Sequence, residues 1–248
     1  MKQTLFLIAI LIVFAGCDNP ADCVKSTGPM VSKTFENLTF NKILIHKNIA
    51  LVLKQGPDIH VEVVSGENLI NDIEVNVSDN LITFKDNTSC NWVRDYGQTT
   101  VYITAPNITG IYSKTEQNIT SDGILNYPNL RLVSMDTEDG FDGAGTGDYV
   151  ITIENQNLIV EGNNVSRFYL SGTTNLLNVN FYSGDSTLKA TDLRANTVKI
   201  FHRGSNDMFV NPLNEISGDI YNVGNVHAVF RPAIVNVKEH YRGRLFFD

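Results

Sequence analysis

The chain has 248 residues, 42% of them hydrophobic, and a formal net charge of -8. This length allows a substantial core, and all-β proteins of this size are frequently single domains. The acidic balance leaves no basic face to neutralise phosphates, which excludes nucleic acid as a partner. No long stripe of apolar residues at helical spacing follows Ala15, and short segments downstream alternate apolar and polar residues, so the sequence predicts an all-β protein with almost no helix.

The N-terminus has the features of an export signal. A lysine precedes the apolar run Leu5–Phe14, which is shorter than a membrane span and typical of a signal-peptide core. The run ends in Phe-Ala-Gly-Cys17, which resembles the lipobox of bacterial lipoproteins with phenylalanine in place of the usual leucine. We therefore expect residues 1–16 to be a signal peptide and Cys17 to carry the lipid. The alternatives are an ordinary secreted protein cleaved near Ala15 and an uncleaved anchor helix.

A lipidated Cys17 would place the protein in the cell envelope. Several buried acyl chains, at roughly 0.8 kcal/mol per CH₂, make such an attachment essentially permanent. We expect the outer membrane, with the chain facing the periplasm or the cell surface. Residues 17–34 are polar, contain proline and glycine and show no periodicity, so they are predicted to form a lipidated tether.

Two cysteines remain once Cys17 is assigned to the lipid. In an exported protein, Cys23 and Cys90 are the natural disulfide pair, and the alternative is two free thiols. The enclosed loop of about 67 residues gives the bridge a chain-entropy contribution of roughly 4 kcal/mol.

Short alternating segments fill residues 35–104. Turn residues such as Gln55–Asp58, Ser65–Asn68 and Ser78–Asn80 separate them, so hairpins are the local interpretation. This half is predicted to be an irregular first part of the stack described below, or a sandwich-like cap on its end. A cap is physically needed, because an open end exposes apolar side chains and unpaired backbone groups.

From residue 139 to residue 232 the sequence repeats itself about every twenty residues. Each period contains alternating segments, and stacking of such segments predicts a β-solenoid whose corners are marked by glycine. We expect residues 35–248 to form a single domain of this kind. The repeated glycines are Gly140, Gly162, Gly184, Gly204 and Gly224.

The order of several motifs resembles the auto-transporter adhesin family, also called the head GIN domain. The resemblance covers roughly residues 35–247. It implies a right-handed β-helix-like fold, occurrence on lipoproteins of Bacteroidetes-type bacteria, an adhesive or surface role and no established catalytic residues. The motifs are QGP (Gln55–Pro57), VEV.SGENLI (Val61–Ile70), NTSCNWVR (Asn87–Arg94), VYITAPNITGI (Val101–Ile111), the glycine-marked coils, GNV (Gly224–Val226) and P.IV (Pro232–Val235).

The densest acidic cluster lies between residues 136 and 148 and is rich in glycine. Calcium requires several carboxylates on a flexible loop, so this cluster is a candidate calcium site, against the alternative of a solvated corner. The histidines are dispersed and never fall at a metal-binding spacing, and no other cofactor motif is present. The candidate calcium ligands are Asp136, Glu138, Asp139, Asp142 and Asp148.

Two aromatic residues follow Cys90 in the loop that the disulfide would constrain. Trp92 and Tyr96 are candidate ligand-contact residues, against the alternative that the tryptophan covers a hydrophobic end.

For a catalytic pair on a solenoid, acids or bases should recur about one period apart, and Asp185 with Asp207 is the best such pair. We identified no positioned basic partner for it, so no catalytic residues and no enzyme activity are predicted.

The leading hypothesis is a non-enzymatic, lipid-anchored envelope protein that adheres to a glycan or to an envelope or host protein. A polysaccharide-active β-helix enzyme is one alternative. A structural envelope component that assembles with itself through coil ends or edges is another.

Overall fold

The structure is a computed structural model that describes residues 20–88, 90–137 and 140–248. Its described residues form one curled sheet of 17 strands, with a helical turn α1 (Pro20–Cys23) and a short 3-10 helix (Ile70–Asp72). The prediction of an all-β fold is confirmed. Among these residues no helix combines the length and the apolar character needed to cross a membrane.

Ten short strands occupy the first part of the chain. Alternation of β-branched and polar residues favours each of them, and turns rich in Asn, Asp and Gly separate them. They are β1 (Met30–Phe35), β2 (Lys42–His46), β3 (Ile49–Gln55), β4 (His60–Gly66), β5 (Ile73–Ser78), β6 (Leu81–Asp86), β7 (Thr99–Ala105), β8 (Gly110–Lys114), β9 (Ile119–Leu125) and β10 (Asn129–Ser134).

The second part contains four long strands followed by three short ones. Each long strand unites two of the segments that the sequence predicts as separate strands, because the chain bends within the strand without leaving the sheet. They are β11 (Asp148–Gly162), β12 (Arg167–Phe181), β13 (Thr187–His202) and β14 (Met208–Ile220), followed by β15 (Val226–Ala228), β16 (Ile234–Glu239) and β17 (Leu245–Phe247).

Parallel pairing arranges these strands in two rows. Row A contains β6, β2, β8, β10, the second halves of β11 to β14, and β16. Row B contains β7, β3, β9, the first halves of β11 to β14, β15 and β17. Equivalent residues recur about every twenty positions along row A, as in Leu158, Leu177, Val198, Ile216 and Val235.

The first layers do not follow chain order. Strand β2 lies between β6 and β8, and β3 lies between β7 and β9. The segment that contains β6 and β7 therefore forms the outermost layer, although β2 and β3 precede it in sequence.

Antiparallel strands close this end of the stack. Strand β4 pairs with β7 and β1 pairs with β4, while β5 pairs with β6. The predicted cap is therefore present, but of the hairpins expected here only β5 and β6 form one, through Asp79 and Asn80 at positive φ. Strand β1 starts at Met30, so the fold begins inside the predicted tether of residues 17–34.

Side chains that point between the two rows form one continuous core. Within row A, Leu177, Val179, Val198 and Ile200 are buried, whereas Lys199 between them is exposed. The predicted alternation of inward and outward residues is therefore correct for these strands.

Candidate functional site

An unbroken row of outward-facing side chains runs across all nine layers of row B, and we call it the outer stripe. Parallel pairing places its members opposite one another from strand to strand. At about 4.8 Å per strand, eight steps give the outer stripe a length of about 38 Å. From the capped end its members are Tyr102, Val52, Thr120, Val150, Tyr169, Lys189, Phe209, His227 and Phe246.

The outer stripe is mostly apolar although it faces solvent. Tyr102, Val150, Tyr169 and Phe246 are between 40% and 45% exposed. A contiguous apolar surface of this kind on a soluble domain marks an interaction site more often than scattered exposed residues do. The outer stripe is therefore the candidate functional site.

Its last three aromatic rings stack on one another. The ring centroids of Phe209 and His227 are 4.9 Å apart at an interplanar angle of 13°, and those of His227 and Phe246 are 5.2 Å apart at 24°. The Lys189 ammonium lies 3.7 Å from the centroid of Phe209. Neighbouring layers thus cover both ring faces of Phe209 and of His227, and the edges of these two rings remain for a partner.

Two carboxylates hold the imidazole of His227 in the outer stripe. Its Nε2 lies 3.4 Å from Oδ2 of Asp207 and its Nδ1 lies 3.5 Å from Oδ1 of Asp248. The expectation that Asp207 has no positioned basic partner is therefore wrong. His227 is twenty residues from Asp207, which is the one-period spacing expected of such a pair, but the sequence interpretation at that spacing stopped at the two carboxylates, Asp185 and Asp207.

The two acids of the predicted carboxylate pair bind different neighbours. Asp185 accepts a hydrogen bond from the Ser205 hydroxyl. Asp207 accepts hydrogen bonds from the backbone and side-chain nitrogens of Asn225, at 2.8 and 3.1 Å. Each carboxylate thus bonds to the layer that follows it.

Protein groups occupy two of the candidate calcium ligands. Asp136 accepts a hydrogen bond from the Asn163 amide at 2.9 Å, and Asp148 pairs with Arg167 at 2.7 Å. Glu138 and Asp139 lie outside the described residues. The residues that are described contain no group of three or more His, Cys, Asp or Glu side chains arranged to hold a metal ion.

The acidic loop instead packs over the outside of row A. Phe141 contacts Tyr112 edge to face, with ring centroids 5.1 Å apart. Beneath it, Leu44, Tyr112, Val133 and Met135 form a small apolar cluster outside the main core. Glycine lets the loop lie close to the neighbouring chain segment, because a Cβ on Gly147 would collide with the backbone of residues 116–117.

The N-terminal cap contains the disulfide between Cys23 and Cys90, whose Cα atoms are 4.7 Å apart. Arg94 strengthens this junction by donating hydrogen bonds to the carbonyl oxygens of Asp22, Lys25 and Cys90. The predicted lipidation residue, Cys17, lies outside the described residues.

The loop that follows Cys90 leaves its aromatic residues in solvent. Trp92 is 63% exposed and Tyr96 is 69% exposed, so the interpretation of the tryptophan as a cover for a hydrophobic end is wrong. Tyr96 also lines a polar pocket of about 240 Å³ together with Lys47, Asn48, Asp86, Arg94 and Gln98. The structure keeps these aromatics separate from the outer stripe, since none of them belongs to row B.

Residues 39–232 match the family described as "Putative auto-transporter adhesin, head GIN domain". The chain belongs to this family. This confirms the resemblance noted in the sequence. None of the curated proteins compared with the chain matches it.

Several solved structures of bacterial proteins share its fold. A "putative adhesin" from Bacteroides fragilis is 21% identical, with a TM-score of 0.78 over 90% of this chain and 99% of its own. A "putative adhesin" from Parabacteroides merdae is 14% identical, with a TM-score of 0.58 over 90% and 99%. A "Putative lipid binding protein" from Parabacteroides distasonis is 12% identical, with a TM-score of 0.62 over 89% and 98%.

Sequence reasoning missed the outer stripe of this head GIN domain. The repeat of about twenty residues predicts stacked layers, but the interpretation named none of these residues as a row. The rows shift in register at bulges, for example between Tyr169 and Gly172, so a fixed period does not find every member. The signal that remains is an aromatic or histidine outward position in each of the last layers.

Proposed function

We propose that this head GIN domain is a non-enzymatic adhesion module of the bacterial cell envelope, held there by a lipid on Cys17. Its family membership supports an adhesive surface role, and the Phe-Ala-Gly-Cys17 sequence supports the lipid anchor. The observation that carries the proposal is the outer stripe, an exposed apolar row about 38 Å long.

The proposal includes a right-handed β-solenoid as the scaffold. Two rows of parallel strands with equivalent residues about twenty positions apart support the solenoid. Right-handedness is the common sense of parallel β-crossover connections. Such a stack keeps the outer stripe straight, because each layer fixes the position of the next.

A protein is the partner that the geometry favours over a glycan. Sugars stack on the faces of aromatic rings, but the faces of Phe209 and His227 are covered by neighbouring side chains. Stacked rings have little rotamer freedom left to lose on binding, which favours a preorganised protein interface. Tyrosine is also enriched among the residues that dominate protein interfaces, and the outer stripe contains two.

The non-enzymatic part of the proposal rests on how the titratable groups are engaged. Both nitrogens of His227 face carboxylates, and both faces of its ring contact aromatic neighbours. A general base needs a free nitrogen directed at the substrate. Asp185 and Asp207 are likewise directed at side chains of the next layer.

A direct test replaces Tyr169 and Phe246 together by serine in the full chain. Membrane vesicles that carry each variant would be tested against panels of envelope proteins, host surface proteins and envelope polysaccharides. Loss of two interface aromatics should weaken binding to a protein partner by roughly thirtyfold or more. Tyr241→Ser is the matched control, because Tyr241 is 55% exposed but lies in a turn outside the outer stripe.

Equal binding by the double variant and the control would refute the role of the outer stripe. Binding to polysaccharides alone would refute the protein partner. Turnover of any polysaccharide that Asp207→Ala abolishes without loss of folding would refute the non-enzymatic assignment.

A further inference from the structure

Strand β5 extends the sheet beyond β6 at one end of row A, so the sheet has open edges at β5 and, at the other end, at β16. Strand β16 (Ile234–Glu239) pairs with β14 on one side, and β5 (Ile73–Ser78) pairs with β6 on one side. Among the described residues, the residue-by-residue pairings give β16 no partner other than β14 and β5 no partner other than β6. An unpaired edge presents a row of backbone donors and acceptors to another chain.

The β16 edge also leaves part of the core uncovered. Val235 and Val237 point inward but are half-buried, whereas Ile216, which precedes Val235 in the same ladder, is fully buried. One further layer would bury these two valines. Burial of apolar surface is favourable, so their exposure favours a partner at this end.

The two ends carry opposite charges. Residues 231–248 contain four basic and two acidic side chains, a net charge of +2 in a chain of net charge -8. Residues 20–40 and 56–80, which include β1, β4 and β5 of the cap, contain two basic and eight acidic side chains, a net charge of -6. The basic end of one molecule is therefore complementary to the capped end of another.

The two edge strands also match residue by residue when paired antiparallel. Both are six residues long, and in one register the inward valines meet, the outward asparagines meet and a lysine meets a glutamate. Opposite charges placed directly across two strands are stabilising. In this register Val235 faces Val77, Asn236 faces Asn76, Val237 faces Val75 and Lys238 faces Glu74.

We propose that this protein associates head to tail, with β16 of one copy added to β5 of the next. A symmetric pairing of β16 with β16 would bring two basic ends together, and a symmetric pairing of β5 with β5 would bring two acidic caps together. Like charges in contact disfavour both. A head-to-tail contact leaves one edge open on each copy, so it builds chains of molecules along the envelope.

Cysteine cross-linking in intact cells tests the proposed register. Two differently tagged full chains, one with Asn236→Cys and one with Asn76→Cys, would be co-produced and exposed to a mild oxidant. Facing residues in an antiparallel pair have Cα atoms about 4.5 to 5.5 Å apart, which suits a disulfide. We expect a species of twice the mass that contains both tags and disappears on reduction.

Controls distinguish this contact from random collision and from symmetric pairing. Lys199 lies inside row A, on β13 and two strands from the β16 edge, so Lys199→Cys should not cross-link to Asn76→Cys. Adding Lys238→Glu to the first chain should lower the cross-link yield by roughly fivefold, and adding Glu74→Lys to the second chain should restore it. A structural defect in either strand would not be rescued in this way.

Two results would overturn the proposal. A cross-link between two copies that both carry Asn236→Cys would show a symmetric contact. Equal yields from the Lys199→Cys control and the proposed pair would show that β16 and β5 of different copies do not meet.

Discussion

His202 lies directly beneath Gly224, so that a Cβ at residue 224 would fall 2.5 Å from Nε2 of the imidazole. The same Cβ would lie closer still to the backbone oxygen of Asn206. Glycine at this corner is therefore required by the stacking of neighbouring layers and not by a positive φ.

Gly224→Ala should destabilise the fold by about 3 kcal/mol, because overpacking at a rigid site forces the backbone to shift. Gly140→Ala is the comparison, since Gly140 has a φ of +88° but no atom within 4 Å of its Cβ position. That change adds backbone strain alone, which costs about 1 to 2 kcal/mol. Urea unfolding of both variants measures the difference, and an equal or smaller loss for Gly224→Ala would contradict the argument.

The stability of the protein should fall in mild acid because of His202. Burial lowers its pKa to about 4, although the nearby Asn206 backbone and Asp207 act in the opposite direction. The unfolded chain holds the proton with a pKa near 6.5, so protonation favours unfolding. The contribution of neutral His202 to the free energy of unfolding is fully present above about pH 6.5. It is lost as the pH falls towards 4, a decrease of about 3 kcal/mol.

Comparison with His202→Gln separates the pH dependence of stability that His202 causes from the pH dependence that the titrating carboxylates cause. The free energy of unfolding of both proteins would be measured from pH 7.5 to pH 4. The wild-type protein should lose about 3 kcal/mol more than the variant over this range. Parallel pH profiles would mean that folding does not lower the pKa of His202.

Because inward and outward side chains alternate along the row A strands, substitutions at neighbouring residues should have very different effects on stability. Val179→Asp and Ile200→Asp should each cost more than about 4 kcal/mol, because an unpaired carboxylate would be buried in the core. Asn180→Asp and Lys199→Asp should change stability by no more than about 0.5 kcal/mol. Thermal unfolding followed by circular dichroism tests this. Similar losses of stability at the inward and the outward positions would contradict the burial pattern.

Local patterns were sufficient to predict much of this fold. Alternation around Val179 and Ile200 identified the inward face, and glycine recurrence identified the close contacts between adjacent layers at Gly184, Gly204 and Gly224, although not at Gly140. The family resemblance carried the same information over most of the chain.

The order of the first layers could not be predicted in the same way. Strand β2 lies between β6 and β8, and this placement depends on contacts between residues far apart in sequence. The Asp207 and His227 pair, by contrast, lies at the one-period spacing and could have been found from the sequence, but the interpretation stopped at the two carboxylates, Asp185 and Asp207. The exposure of Trp92 likewise depends on how the disulfide loop packs, which no local pattern specifies.

Replacing the predicted lipidation residue tests the membrane anchor. Cys17→Ala should release the chain from the membrane fraction or block its processing, because the acyl chains supply the binding energy. Cys23→Ala is the control, since it removes a cysteine without removing the lipid. Retention of Cys17→Ala in membranes after washing with high salt would contradict lipid anchoring.

The disulfide should hold the first residues of the fold against the cap. Cys90→Ala is expected to lower the free energy of unfolding by about 4 kcal/mol, because the bridge closes a loop of 67 residues. Arg94 and the hydrogen bond from the Trp92 amide to the Cys23 carbonyl, at 2.9 Å, are at the same junction. Hydrogen exchange should therefore quicken first in β1 and the Trp92 loop, while the strands from β11 to β14 stay protected. Cys23→Ala should reproduce the effect, and the double variant should add little to either single one. Uniform loss of protection along the whole stack would show that the disulfide supports the fold globally and not at the cap.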